Sequence, residues 1–246
     1  MMYHIPVLLN ECIEGLNIHP DGVYVDATFG SGGHSRKITE KLSTGKLIAF
    51  DQDSDARRNL LQDNTFVFIN ENFRYLRNFL RFQGILHIDG LLADLGISSW
   101  QIDQAARGFS TRLTGPLDMR MNREQGITAG DIINKYSTEQ LIHIFRYYGE
   151  LENARKVTEN ILAARAEQPV QTTEEFKNIL LRNAPRGKEN QFLAKVFQAI
   201  RIEVNEELEA LKELITGTAE ILNPGGRMVI ISYHSLEDRL VKNFFR

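Results

Sequence analysis

The chain has 246 residues, long enough for one large domain or one domain carrying an insert. Hydrophobic residues make up 42% and charged residues 25%, an ordinary globular balance that excludes wholesale disorder or a collagen-like repeat. With 29 Lys plus Arg against 32 Asp plus Glu, the net charge of −3 excludes a uniformly basic nucleic-acid binder, so any RNA contact must use a local patch. The single cysteine, Cys12, can neither close an internal disulfide nor build a thiolate metal site. The opening Met1-Met2-Tyr3-His4-Ile5-Pro6 lacks the charged and apolar regions of a signal peptide, and no apolar run approaches membrane-spanning length. The expectation is a cytoplasmic protein with no membrane attachment and no metal.

Strand-like and helix-like stretches alternate at first. Asp21-Gly22 is a turn signal before the short strand Val23-Tyr24-Val25. Glycines follow, then a helical stretch from His34 to about Leu42. Lys46–Phe50 reads as a second strand ending at Asp51, and Asp53 or Ser54 can cap the next helix. Phe66–Ile69 is a third strand. Phe73–Phe82 reads as helix, with Phe73, Leu76 and Phe79-Leu80 on one face. Gly90–Ala93 leads into Asp94 as a fourth strand end. This alternation predicts parallel βαβ units in a doubly wound α/β sheet.

From about Ala105 to Lys212 no convincing strand appears. Ser137 and Gln140 form a capping-box signature before Leu141, Ile144, Phe145 and Tyr148 at helical spacing. Thr172 and Glu175 form another before Phe176, Ile179 and Leu180, and Leu193, Val196-Phe197 and Ile200 mark a further amphipathic helix. Glu206–Leu222 reads as helix stopped by Asn223-Pro224-Gly225-Gly226, and Arg227–Ile231 as a fifth strand. The expected domains are an α/β domain of residues 1–104 and 213–246, interrupted by a helical insert of 105–212.

The loop Asp26-Ala27-Thr28-Phe29-Gly30-Ser31-Gly32-Gly33-His34-Ser35 joins the first strand to the first helix of that alternation. Its glycines let the backbone turn sharply and approach a ligand, and N–H groups at the helix start can meet an anion such as a carboxylate. Asp51 ends the next strand, where an acid typically accepts ribose hydroxyls. This constellation suits an adenosine-containing cofactor. The sixth position from Gly30 is Ser35, so the dinucleotide fingerprint fails, and no Gly-Lys-Ser/Thr is present for a P-loop. Asp26, an acid before the loop, suits a cofactor with a positive charge. S-adenosylmethionine carries a sulfonium, an ammonium and a carboxylate, and no phosphate.

Several motifs together resemble one family. They are His4–Leu9; Tyr24–Gly30 with Gly32–Ser35; Ala93-Asp94-Leu95-Gly96-Ile97-Ser98-Ser99; Arg107-Gly108-Phe109-Ser110; Gly115-Pro116-Leu117-Asp118-Met119-Arg120-Met121; Tyr148-Gly149-Glu150; Phe197–Ile202 with Val204-Asn205; and Ser232-Tyr233-His234-Ser235-Leu236-Glu237-Asp238-Arg239. They resemble the bacterial 16S ribosomal RNA cytosine-N4 methyltransferases, the RsmH or MraW family, over nearly the whole chain. The resemblance implies a Rossmann-like S-adenosylmethionine-dependent methyltransferase with a mostly parallel doubly wound sheet and an all-helical insert. It also implies N4-methylation of a decoding-centre cytidine in 16S ribosomal RNA of the small ribosomal subunit. A homodimer is compatible with it. Carried over, the cofactor contacts fall on Gly32, Gly33, His34, Asp51, Phe73, Asp94 and Gln101. Asp26 and Gly30 join them from the loop itself. The family usually has Phe where Tyr233 stands. Its members continue some tens of residues past Arg246, a stretch expected to supply further antiparallel strands and a basic tail, so the fifth strand is expected at an open edge.

Methyl transfer to a cytosine amine needs alignment of nitrogen, methyl and sulfur, and an acceptor for the amine hydrogens and the departing proton. It requires neither a metal nor a covalent intermediate. Asp94, Ser98 and His234 are the candidate groups, although Ser98-Ser99 also reads as a helix cap and Ser235 as the cap of a following helix with Asp238 in its first turn. The Asp/Asn-Pro-Pro-aromatic run that many amino-methyltransferases place after strand four is absent; Asp94-Leu95-Gly96-Ile97 stands there. A target base turned out of its stack needs an aromatic or Arg platform, for which Trp100, Phe109 and Tyr233 are candidates. Arg107, Arg112, Arg120 and Arg123 face one acid, Asp118, in their stretch, and Arg182, Arg186, Lys188, Lys195 and Arg201 face only Glu189 in theirs. Such patches can hold phosphates. Two other functions compete: a nicotinamide-dependent oxidoreductase, against which Ser35 counts, and a non-catalytic RNA-binding or assembly protein that keeps a cofactor pocket.

Overall fold

A computed structural model describes residues 6–246; His4 and Ile5 of the opening motif lie outside the described residues. The chain divides into two compact units, one of the stretch ending at Gly96 together with Leu208–Arg246, the other of Ile97–Glu207.

In the first unit, α1 (Leu9–Leu16) precedes β1 (Val23–Asp26), α2 (Gly33–Thr39), β2 (Lys46–Phe50), β3 (Phe66–Ile69), α3 (Leu76–Phe82) and β4 (Ile88–Asp94). The stretches after Asp53 and from Phe73 to Tyr75 are 3₁₀ turns, capped by the side chains of Asp53 and Asn72. The second unit holds α4 (Ser99–Asp103), α5 (Ala129–Lys135), α6 (Thr138–Tyr147), α7 (Ala154–Glu167), α8 (Thr173–Leu181) and α9 (Glu189–Asn205). The chain then returns through α10 (Glu207–Ile221), β5 (Leu222–Ile231) and α11 (Ser235–Phe244).

All five strands pair in parallel in the order β3-β2-β1-β4-β5. The winding goes outward from β1 through β2 to β3, then restarts at β4 on the other side of β1. In such sheets ligands lie outside the carboxyl ends of the strands at this reversal. The strands alternate in period two between faces. Val25, Ile48, Phe50 and Leu91 join Leu76 and Leu80 of α3 and Leu211, Leu214 and Ile215 of α10 in one core. Tyr24, Leu47 and Leu92 point the other way, against Cys12 and Leu16 of α1 and Ile38 of α2. Helices therefore cover both faces, a Rossmann-like arrangement.

β5 is longer than its sequence suggests. Asn223–Gly226 stops the helix as expected, yet Leu222 already pairs with Ile88, and Arg227 pairs with Gly90, so the four residues bulge from the strand. β5 lies at a sheet edge among the described strands. α1 was not evident in the sequence, because Leu8 at its start contributes no capping side chain.

The helical unit has its own core of Leu141, Ile144, Phe145, Phe176, Ile179, Leu180, Leu193, Val196, Phe197 and Ile200, the apolar positions that helical spacing marks. Both expected capping boxes are present, Ser137 with Gln140 and Thr172 with Glu175. An isolated bridge between Pro116 and Thr172 is the β-type pairing found among its described residues. No helix among the described residues is long and apolar enough to cross a membrane.

Candidate active site

The turn after β1 is built around Asp26, which is buried. Its Oδ1 accepts from the Thr28 amide at 3.1 Å and its Oδ2 from the Ser35 hydroxyl at 2.6 Å. Asp26 thereby clamps the two ends of the glycine loop, whereas from the sequence it is expected to face a cofactor's positive charge. Burial pushes its carboxyl above the usual carboxylate range, against the hydrogen bonds it accepts. Gly32 stands just before α2 with φ of 74°, and an added Cβ would sit 2.9 Å from the Phe29 ring. At Gly33 the obstacle is Pro6, whose Cγ would lie 2.2 Å from an added Cβ. These glycines are needed for backbone shape at one and for space at the other.

Asp51, just past β2, closes the loop from the side. Its Oδ2 accepts from the Gly30 amide at 2.7 Å and its Oδ1 from the Asp53 amide at 2.8 Å. Asn59 Nδ2 donates to the Gly30 carbonyl at 2.9 Å, and Asn70 Nδ2 to the Asp51 carbonyl at 2.7 Å. Burial pushes the Asp51 carboxyl up to about 7, although both backbone donors pull it down. Phe73 begins the turn after Asn72, partly buried against the core beneath β2 and α3.

Asp94 ends β4. Its amide donates to Thr28 Oγ1 at 2.7 Å, which ties the tips of β1 and β4 together. His34 Nδ1 lies 3.9 Å from Asp94 Oδ2. His34 Nε2 is 3.1 Å from the Val7 carbonyl, which can only accept, so Nε2 is the donor there. Asn59 and Asn70 carry no signal in the sequence, whereas Thr28 and Ser35 lie within the glycine motif.

Past β5, Tyr233 is 54% exposed and its hydroxyl donates to Asp94 Oδ1 at 2.7 Å. Partial burial, then the adjacent Asp94 carboxylate, push the phenol above its ordinary value. α11 starts one residue earlier than the sequence suggests. His234, not Ser235, is its cap, with Nδ1 accepting from the Glu237 amide at 3.5 Å. Glu237 is buried, its Oε2 accepts from the Tyr233 amide at 2.9 Å, and its Oε1 lies 3.2 Å from His234 Nε2. His234 Nδ1 is thus engaged in starting the helix, while Nε2 is buried beside Glu237 Oε1 without a hydrogen bond.

In the helical unit Ser98 caps α4. Its Oγ accepts from the Gln101 amide at 3.2 Å while Gln101 Oε1 accepts from the Ser98 amide at 2.9 Å. Trp100 is 48% exposed. Two of the RNA candidates are turned inward. Arg107 is buried, with Nη2 donating to the carbonyls of Arg120 and Met121, and Phe109 belongs to the helical core. Charge and aromaticity alone do not report burial. Arg120 is held in a two-pronged pair by Asp118, at 2.8 and 3.0 Å, which holds the Asp118 carboxyl below its usual range. Arg201 is held in the same way by Glu207. Arg186 and Lys188 are exposed.

The donor set can be tested against a cofactor. Carboxylates stand at the tips of β2 and β4, on either side of β1, beside a loop whose Gly32 backbone leaves no room for a side chain. Acids suit ribose hydroxyls and a cationic arm, and suit phosphates poorly. The residues therefore fit S-adenosylmethionine better than a dinucleotide.

The description of the family model that matches residues 1–246 is "MraW methylase family". A protein of Cytophaga hutchinsonii named ribosomal RNA small subunit methyltransferase H is 56% identical over 246 residues, 99% of this chain and 82% of that protein. Its namesake in Bacteroides thetaiotaomicron is 54% identical over 247 residues, 100% of this chain and 81% of that protein. The chain thus spans about four fifths of the length of these relatives. Among solved structures, an rRNA methylase from Streptococcus thermophilus aligns with a TM-score of 0.30 and 23% identity over 39% of this chain and 58% of that one, too little to bear on the fold. The whole-length match leaves no place for the oxidoreductase alternative, and the chain belongs to the MraW methylase family.

Proposed function

We propose that this chain transfers the methyl group of S-adenosylmethionine to N4 of a decoding-centre cytidine in 16S ribosomal RNA, acting on the small ribosomal subunit. The observation that carries the reading is Asp51, a carboxylate fixed by the Gly30 amide at the tip of β2, in a chain whose whole-length relatives bear the name of a small-subunit ribosomal RNA methyltransferase.

When bound, the donor supplies a methyl carbon made electrophilic by its sulfonium. Asp51 accepts the ribose hydroxyls, Gly30, Gly32 and Gly33 bring backbone close to the donor, and the Phe73 ring flanks adenine. His34 and Asp94 line the cationic arm. On the substrate side the obstacle is a delocalised amine lone pair. Asp94 accepts the amine hydrogens, concentrates charge on nitrogen, and takes the departing proton at a carboxylate oxygen. Ser98 and His234 serve mainly as caps, which leaves Asp94 as the principal acceptor. The helical unit supplies RNA contacts, with Arg186 and Lys188 toward phosphates and the Trp100 ring as a stacking surface.

Mass spectrometry of 16S nucleosides, before and after incubation of unmethylated small subunits with protein and S-adenosylmethionine, tests the reading. N4-methylcytidine should rise with wild-type protein and not with a folded Asp94→Ala variant. No methylcytidine with wild type would overturn the enzyme reading in favour of a binding or assembly role.

A further inference from the structure

The acid and aromatic that many amino-methyltransferases carry in one run after strand four are not consecutive here. Asp94-Leu95-Gly96-Ile97 follows β4 with no aromatic residue. The fold nevertheless brings an aromatic to that acid from another strand. Asp94 ends β4 and Tyr233 follows β5, its neighbour in the sheet, with the Asp94–Ile231 register placing the two strand tips side by side. The Tyr233 hydroxyl reaches Asp94 Oδ1 at 2.7 Å. Behind the ring is Gly96, where an added Cβ would lie 3.5 Å from Tyr233 Cδ2, and the side chain remains 54% exposed.

We propose that Tyr233 and Asp94 together form the seat of the target cytosine, with the Tyr233 ring as the stacking platform and Asp94 as acceptor for the exocyclic amine. An aromatic face tolerates any base and holds it by stacking, while a carboxylate beside it selects a base that presents an amine. A carboxylate has about four acceptor positions, of which the Tyr233 hydroxyl takes one, so the same group can hold the platform and meet the amine. The hydroxyl meets Asp94 and the ring does the stacking. Gly96 has φ of 94°, a conformation that favours glycine, and an added Cβ would meet the ring in van der Waals contact. Phe109 is excluded from this role by its burial in the helical core.

This assignment rests on the methyltransferase reading and is separable from it by experiment. Initial rates on unmethylated small subunits would be measured for wild type, Tyr233→Phe and Tyr233→Leu, with S-adenosylmethionine affinity by calorimetry for each. Tyr233→Phe, which keeps the ring, should stay within about threefold of wild-type turnover. Tyr233→Leu, which loses it, should fall by about 5- to 150-fold, the range of one base-stacking contact, with donor affinity unchanged within about twofold. Unchanged donor affinity shows that the fold and the donor seat are intact. If Tyr233→Leu turns over like wild type, or loses donor affinity in step with turnover, the base-seat assignment is overturned while the enzyme reading stands. If wild type methylates nothing, the underlying reading fails instead.

Discussion

The Gly30 amide donates to Asp51 Oδ2 at 2.7 Å, across 21 positions of sequence, and so locks the glycine loop of β1 to the tip of β2. One carboxylate thus shapes the backbone of the glycine loop and, in the proposed function, accepts ribose hydroxyls.

Asp51 is accordingly a pH-sensitive group. With its carboxyl pushed up to about 7 by burial, the folded protein holds a proton that the unfolded chain gives up near 4. Unfolding then releases protons, so this group's contribution to stability declines as pH rises from about 4 to about 7 and is level above that. Thermal melts of the donor-free protein should show this decline, and Asp51→Asn should flatten it. Donor binding goes the other way, since ribose hydroxyls donate to the ionised carboxylate. Calorimetric affinity for S-adenosylmethionine should tighten through pH 7 in wild type. Asp51→Asn should weaken it by about 10- to 100-fold at pH 8, the scale of a charged hydrogen bond, with no pH dependence from this site.

Gly32→Ala places a Cβ at φ of 74° and 2.9 Å from the Phe29 ring. The left-handed conformation alone costs about 1–2 kcal/mol, and the contact adds to it. Chemical denaturation should show at least that loss, with donor affinity falling as the loop shifts. An unchanged denaturation midpoint would contradict the described loop.

In the helical unit, Asn205 at the end of α9 ties down the loop that carries Asp118 and Arg120. Its Oδ1 accepts from the Met121 amide at 2.7 Å and its Nδ2 donates to the Met119 carbonyl at 2.9 Å. Met119 has φ of 60°, so the loop depends on such ties. Asn205→Ala should cost about 1–3 kcal/mol in denaturant unfolding, because the Met121 amide loses its acceptor.

The two classes of arginine should separate by assay. Doubling Arg186→Ala with Lys188→Ala should leave the melting temperature unchanged and weaken small-subunit binding, with a salt dependence shallower by about 2 in the log–log slope. Arg107→Ala should lower the melting temperature instead, since its buried guanidinium props the Arg120 and Met121 carbonyls.

The strand cores were legible because they are short apolar runs. Lys46–Phe50 and Phe66–Ile69 form strands at those bounds. The capping boxes at Ser137 and Thr172 likewise announced their helices, since that chemistry is local. What failed was set by tertiary context. Nothing near Leu8 signals α1, the Asn223–Gly226 bulge is defined by pairing to β4, and the inward turn of Arg107 and Phe109 depends on carbonyls and side chains remote in sequence. At the site, Asp51 and Asp94 could be read as strand-end acids. The Asp26 clamp and the Tyr233–Asp94 bond could not, because they join groups across loops or strands.

A crystal structure of the protein with S-adenosylhomocysteine tests the central claim most directly. The account predicts the ribose hydroxyls within hydrogen-bond distance of the Asp51 carboxylate, adenine against Phe73, and the amino-acid arm toward Asp94. A nucleoside seated elsewhere, with Asp51 untouched, would contradict it.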